Sequence, residues 1–223
     1  MSVVRRILAL AALAALAACG NQTDQGVFLK KVSSGELKKS GQAGAASPEQ
    51  IAAAVQASLD GTDLPVALAV IEGRNATAIL TRIEQNGDYD TWGTPDRRTV
   101  TTRGGIVTAT RGLGNDLMSS NTGTSLAMIS RRKSGSTTRV MRHLDGENKT
   151  VELVLDCQYA KAGSKQLTAG ELKNVAVTQM TENCSSGATS FSNLYMVDGR
   201  GRPLQSRQWL SPTSGYIVIQ LLR

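Results

Sequence analysis

The 223-residue sequence contains one histidine, two tryptophans, two phenylalanines, four tyrosines, five prolines and three cysteines. The solitary His143 leaves His-rich metal sites and most His-dependent catalysis with little to work with, because imidazole is the side chain that titrates near neutrality. None of the cysteines sits in a Cys-x-x-Cys spacing, which argues against a zinc site or a thioredoxin-like role. No apolar run approaches the ~20 residues that a membrane-spanning helix needs. The longest, Ile7–Ala18, has twelve. A polytopic membrane protein is therefore excluded.

What is present begins with an address. Arg5-Arg6, the run Ile7–Ala18 and its small residues follow the charged, apolar and cleavable order of a secretory signal. Leu16-Ala17-Ala18-Cys19 matches the bacterial lipobox, in which the cysteine receives a diacylglycerol and becomes the first mature residue. Multiple acyl chains make an effectively permanent anchor, where one alone binds only marginally. Gly20 stands where an Asp typically retains a lipoprotein at the inner membrane, which favours the outer membrane of a Gram-negative cell. Without residues 1–18, a chain of 205 residues with a formal charge of +5 remains. That length suits one domain, and the charge is too mild to define a partner. Export makes nucleic acid an improbable ligand. With Cys19 lipidated, Cys157 and Cys184 are left as an even pair in an oxidising compartment, and a disulfide is expected.

The organisation divides into a signal peptide (1–18), a lipidated N-terminus and polar tether (19–47), and a domain (48–223). Ser47-Pro48-Glu49-Gln50 is a helix start, with a Ser cap, Pro at the first helical position and Gln three residues after the cap. Ile51, Val55 and Leu59 recur every four residues, and Gly61 ends this one short helix. After Leu64 the pattern becomes β. Runs at 64–71, 76–83, 99–102, 106–110, 138–144, 149–159, 175–184, 190–197, 205–210 and 216–222 are separated by Gly, Asp and Asn turns such as Asn86-Gly87. In the run 149–159, Val151, Leu153, Leu155, Cys157 and Tyr159 alternate onto one face, which places Cys157 inward. The expectation is a mainly β protein, an antiparallel β-sandwich or barrel-like domain. Residues 119–137, rich in Ser, Thr, Asn and Gly, read as a long loop.

Candidate chemistry is sparse. Gly112-Leu113-Gly114-Asn115-Asp116-Leu117 lacks the third glycine and the Gly-Lys of a phosphate loop, so a glycine-built turn is expected. Asp88, Asp90, Asp96 and Asp116 would make a polysaccharide hydrolase only if they converge, since glycoside hydrolysis needs paired carboxylates. The aromatics fall into the groups Tyr89/Trp92, Phe191/Tyr195 and Trp209/Tyr216, each close to planar polar side chains. Carbohydrate binding uses that combination; a packed core does too.

Several stretches together resemble the YjbF/GfcB family of group 4 capsule and exopolysaccharide lipoproteins. They are Gln85-Asn86-Gly87 with Thr91-Trp92, Thr110-Arg111-Gly112-Leu113-Gly114-Asn115-Asp116-Leu117, Glu182-Asn183-Cys184, Phe191-Ser192-Asn193-Leu194-Tyr195, and Ser206-Arg207-Gln208-Trp209 with Pro212 and Gly215. The resemblance implies a mostly β outer-membrane lipoprotein, lipid-anchored and facing the periplasm, that assists polysaccharide assembly or export without catalysis. It implies no cofactor, no metal and no catalytic residue to carry over. Cys19 and the Cys157/Cys184 pair are the positions that transfer. Trp92, Arg111, Asp116, Arg207 and Trp209 are the candidate contacts to an anionic polysaccharide or an export partner. A structural envelope lipoprotein is the remaining alternative.

Overall fold

The computed structural model describes residues 46–145, 147, 149–187 and 189–223. The signal peptide, Cys19 and nearly all of the tether lie outside the described residues. Helix α1 (Pro48–Gly61) opens on the expected capping box: Gln50 N donates to Ser47 Oγ at 3.3 Å, and Ser47 N donates to Gln50 Oε1 at 2.7 Å. Leu59 is its buried residue and packs with Val66 and Leu222, flanked by Val55, Leu68 and Ile79.

Twelve strands follow: β1 (Val66–Ile71), β2 (Ala76–Asn86), β3 (Tyr89–Gly93), β4 (Thr99–Arg103), β5 (Ile106–Arg111), β6 (Leu117–Asn121), β7 (Gly135–Leu144), β8 (Thr150–Ala169), β9 (Leu172–Ser186), β10 (Thr189–Asp198), β11 (Pro203–Ser211) and β12 (Gly215–Leu221). They form one antiparallel sheet in the order β5-β4-β3-β2-β1-β12-β11-β10-β9-β8-β7-β6. The sheet is a meander of sequential neighbours, except that β1 pairs with β12, with Ala67 opposite Leu221 and Ile71 opposite Ile217. Its two edges, β5 and β6, lie against each other, so the sheet curls into a nearly closed barrel. Closure removes most of the exposed edge that an open sheet would present.

Side chains alternate across the wall as the pleat requires. On β8, Leu155, Cys157 and Tyr159 are buried, while Glu152, Asp156 and Gln158 face out. Cys157 stands directly opposite Cys184 on β9 with their Cα atoms 4.0 Å apart, and the two form a disulfide. β1 and β2 contribute small inward residues, Ala67, Ala69, Ala76 and Ala78, where the core also holds Trp92, Phe191, Tyr195 and Ile217. Mixing small and large side chains lets a narrow barrel fill without voids.

Three segments depart from the sequence reading, the first being Tyr89–Gly93, which no expected run covered and which forms β3. Residues 119–137 are not a loop: they complete β6, form helix α2 (Gly123–Ser130) and begin β7. An eight-residue helix spans about two turns, too few for periodicity to stand out from Ser/Thr-rich composition. It holds because Ile129 is fully buried and Leu126 and Met128 pack against the core. The eighth strand also runs ten residues past Tyr159, to Ala169. Ala160–Gln166 is exposed on both faces, so no alternation marked the extension. Backbone pairing with β9 sustains it as far as Ala169 opposite Leu172.

Candidate functional site

The middle of the barrel is filled by a polar cluster. Glu182 on β9 is fully buried, and Arg139 on β7 donates to its Oε2 from Nη1 at 2.9 Å. Asn193 Nδ2 and the Tyr195 hydroxyl each donate to the same oxygen at 2.7 Å. The Tyr159 hydroxyl lies 2.7 Å from both Glu182 Oε1 and Ser125 Oγ. With one proton to give, it donates to the carboxylate and accepts from Ser125 on α2. Burial alone would raise the Glu182 pKa, but Arg139 and the three hydrogen bonds outweigh it and hold the carboxyl below its ordinary range. Burial and the adjacent Glu182 charge push both tyrosines up, so they remain neutral donors.

This cluster also serves the open edge of β5. Val107 N donates to Gln208 Oε1 at 2.8 Å, and Val107 O accepts from Arg139 Nη2 at 3.4 Å. These side chains, from β11 and β7, hold the backbone of an edge-strand residue that pairs with Thr102 of β4 beside a register shift. Closer to the turn between β5 and β6, Arg111 Nη1 donates to Thr110 O at 2.6 Å and Leu117 O at 3.2 Å, bridging both edges. Asp116 accepts from Thr110 Oγ1 at 2.8 Å, Gly112 N at 2.8 Å and Leu113 N at 3.0 Å. Gly112 sits at φ +76°, which a residue with a side chain rarely adopts, and this lets the turn fold back onto Asp116.

One end of the barrel remains partly open. There α2 covers the side nearest β7 and β10, with Ser125 joined to Tyr159 and Arg132 Nη1 donating to Asp198 O at 2.5 Å. Beside it lies a cavity of about 480 Å³, lined by Arg82, Gln85, Asp90, Trp92, Thr102, Ser206 and Arg202, with Gly105 and Pro203 at its border. That volume falls within the ~300–1,000 Å³ typical of small-molecule sites. Gly105, at φ +83°, lets the β4–β5 turn approach Pro203, where a Cβ would come within 3.1 Å of the ring. Trp92 Nε1 donates to Thr102 Oγ1 at 3.0 Å, which fixes the buried ring where it lines the cavity. Below Ser206, Gln208 Nε2 donates to the serine hydroxyl at 2.9 Å and connects the floor to the filled interior.

The five candidate binding residues are not brought together. Trp92 lines the cavity. Arg111 and Asp116 clip the seam. Arg207 makes a bidentate pair with Glu72, both bonds at 2.7 Å, and lies 3.4 Å over the Tyr216 ring. Trp209 is buried and stacks on Phe191 at 4.5 Å between centroids. His143 Nε2 lies 2.7 Å from Leu210 O, an acceptor, so that nitrogen carries the proton. The four aspartates do not converge on one point but fall in two pairs at opposite ends of β3. Asp88 and Asp90 stand before and within the first part of β3, paired with Arg103 and Arg82. Asp96 and Asp116 lie in turns beyond the far ends of β3 and β5. Cys157, Cys184 and Glu182 bring potential metal-ligand atoms within 4.8 Å, but the disulfide holds both sulfurs and four donors surround the carboxylate.

The sequence reading missed Arg82, Arg202, Arg139 and Glu182. Pairing outward from Asn86-Gly87 sets Gln85 opposite Asp90 and would bring Ile83 to Trp92; a register shift between Arg82 and Glu84 brings Arg82 there instead, and no linear pattern marks that shift.

The fold and site together define an antiparallel barrel with a packed polar interior and a cavity at one end. Comparison with known proteins places it further. The family model described as group 4 capsule polysaccharide lipoprotein GfcB, YjbF, matches residues 28–222, and the chain belongs to that family. The fold is similar to that of the hypothetical lipoprotein YmcC from Escherichia coli (K12), with a TM-score of 0.66 and 19% identity, covering 76% of this chain and 88% of that one. No curated protein matches the chain.

Proposed function

We propose that this protein is an outer-membrane lipoprotein, anchored through lipidated Cys19, that assists assembly or export of a capsular or extracellular polysaccharide by binding rather than by chemistry. The observation that carries the reading is membership of a family described by capsule polysaccharide and lipidation. The engagement of Asp88, Asp90 and Asp96 by arginines and of Asp116 by turn donors supports the non-catalytic part, because glycoside hydrolysis needs two carboxyl groups free to flank one bond. A rigid barrel on a lipid anchor presents a fixed surface to polymer or to an export partner near the membrane.

Deletion of the gene tests this directly. Secreted polymer is expected to fall in amount or change in length, and wild-type protein should restore it. Unchanged polymer would leave a structural envelope role instead. Cys19→Ala is expected to shift the protein from the membrane to the soluble fraction; unaltered fractionation would refute the anchor.

A further inference from the structure

We propose that the open half of the barrel mouth is a binding site for the end or a side branch of an uncharged saccharide chain, a refinement that rests on the polysaccharide reading above. Three features lead to it. The first is charge balance. Arg82 pairs with Asp90 at 3.2 Å, Arg202 with Asp198 at 3.1 Å and Arg223 with Glu171 at 2.6 Å. Each guanidinium lining the cavity thus has its own carboxylate, and an incoming anion would have to compete with all three.

The second feature is hydrogen-bonding capacity left over after that pairing. Arg82 and Arg202 each use one side-chain nitrogen, Nη1 and Nε respectively, and leave two facing no protein acceptor among the described residues. Gln85 is exposed and its amide makes no hydrogen bond among the described residues. Planar donors and acceptors in this arrangement match vicinal hydroxyls, while the apolar lining from Trp92, Pro203, Ile219 and Leu221 suits the C–H groups of a sugar ring.

The third is depth. Tyr195, Gln208, Asn193 and Glu182, beneath the floor, are fully buried, so the interior is filled below the cavity. A chain cannot thread through, but a terminus or short branch can enter.

The test uses the purified full-length protein and the producing cell's own polysaccharide, cleaved to short oligosaccharides and separated by anion exchange into uncharged and acidic pools. Titration calorimetry should show binding of the uncharged pool, with Kd changing less than about threefold between low salt and ~0.5 M salt, where exposed charge interactions are screened. Arg82→Ala is expected to weaken binding about tenfold or more, and Gln85→Ala about threefold, consistent with loss of charged and neutral hydrogen bonds. Arg202→Ala removes a mostly exposed side chain and serves as a second variant should Arg82→Ala misfold. Binding of the acidic pool alone, a salt dependence beyond tenfold, or unchanged affinity in folded Arg202→Ala and Gln85→Ala would overturn the proposal. So would absence of binding to either pool; if the deletion strain still loses polymer, the functional reading survives that result and only the mouth site falls.

Discussion

The barrel interior and the barrel mouth use the same residue types to opposite ends. In the interior, Glu182 has four donors around it, and Arg139 spends Nε, Nη1 and Nη2 on Ser120, Glu182 and Val107. At the mouth, Arg82 and Arg202 each retain two nitrogens. A polar group buried without a partner costs ~1–3 kcal/mol, so the interior must be saturated, whereas water can serve the mouth until a ligand arrives. Residue identity alone therefore does not separate a structural arginine from a binding one. Hydrogen-bond saturation and exposure do.

The comparison breaks most severely at Glu182. Glu182→Gln leaves Arg139 buried without its counter-charge and is expected to lose about 3–5 kcal/mol of stability, measured by urea unfolding. The same carboxylate sets an acid limit. Its pKa is lower in the fold than the ordinary 4.5, so its contribution is complete above that value and is lost as pH falls through the folded pKa. Stability of the wild type should thus decline more steeply below about pH 4.5 than that of Glu182→Gln; parallel declines would refute the assignment.

Replacing Cys157 and Cys184 with serine opens a loop of sequence separation 27 and should cost about 3–4 kcal/mol. Asp116→Ala removes three hydrogen bonds at the seam, and a loss of about 2 kcal/mol is expected. Amide exchange of Gly112 and Leu113 should rise in that variant. At the mouth, Gln85→Ala should change stability by no more than ~0.5 kcal/mol, since its side chain is exposed, and Arg202→Ala by about 1 kcal/mol, since it removes the exposed partner of buried Asp198, which keeps two backbone donors.

Much of the wall was legible. The period-two pattern of β8 placed Cys157 inward, and Asn86-Gly87 fixed the β2–β3 turn. Turn chemistry and alternation are local, so one sequence suffices to read them. Closure was not local. Whether the sheet would fold as a sandwich or a barrel depended on β1 meeting β12 and β5 meeting β6, contacts that join distant or unladdered segments. Arg111 and Asp116 are candidate contacts in the sequence, and the seam they serve has no signature in a linear pattern. Glu182, between Met180 and Cys184 on an inward face, signalled a buried carboxylate, but its partner Arg139 lies two strands away.

Trp92 and Trp209 are the protein's two tryptophans, and Trp209→Phe leaves Trp92, in the mouth, as the sole reporter. Phenylalanine preserves the ring that stacks on Phe191. Titrating this variant with the uncharged oligosaccharide pool is the most direct test that binding occurs at the mouth. A saturable change in Trp92 emission, matching the calorimetric Kd and lost with Arg202→Ala, is the predicted result. Calorimetric binding with no change in Trp92 emission would place the ligand elsewhere and contradict the division between a structural interior and a binding mouth.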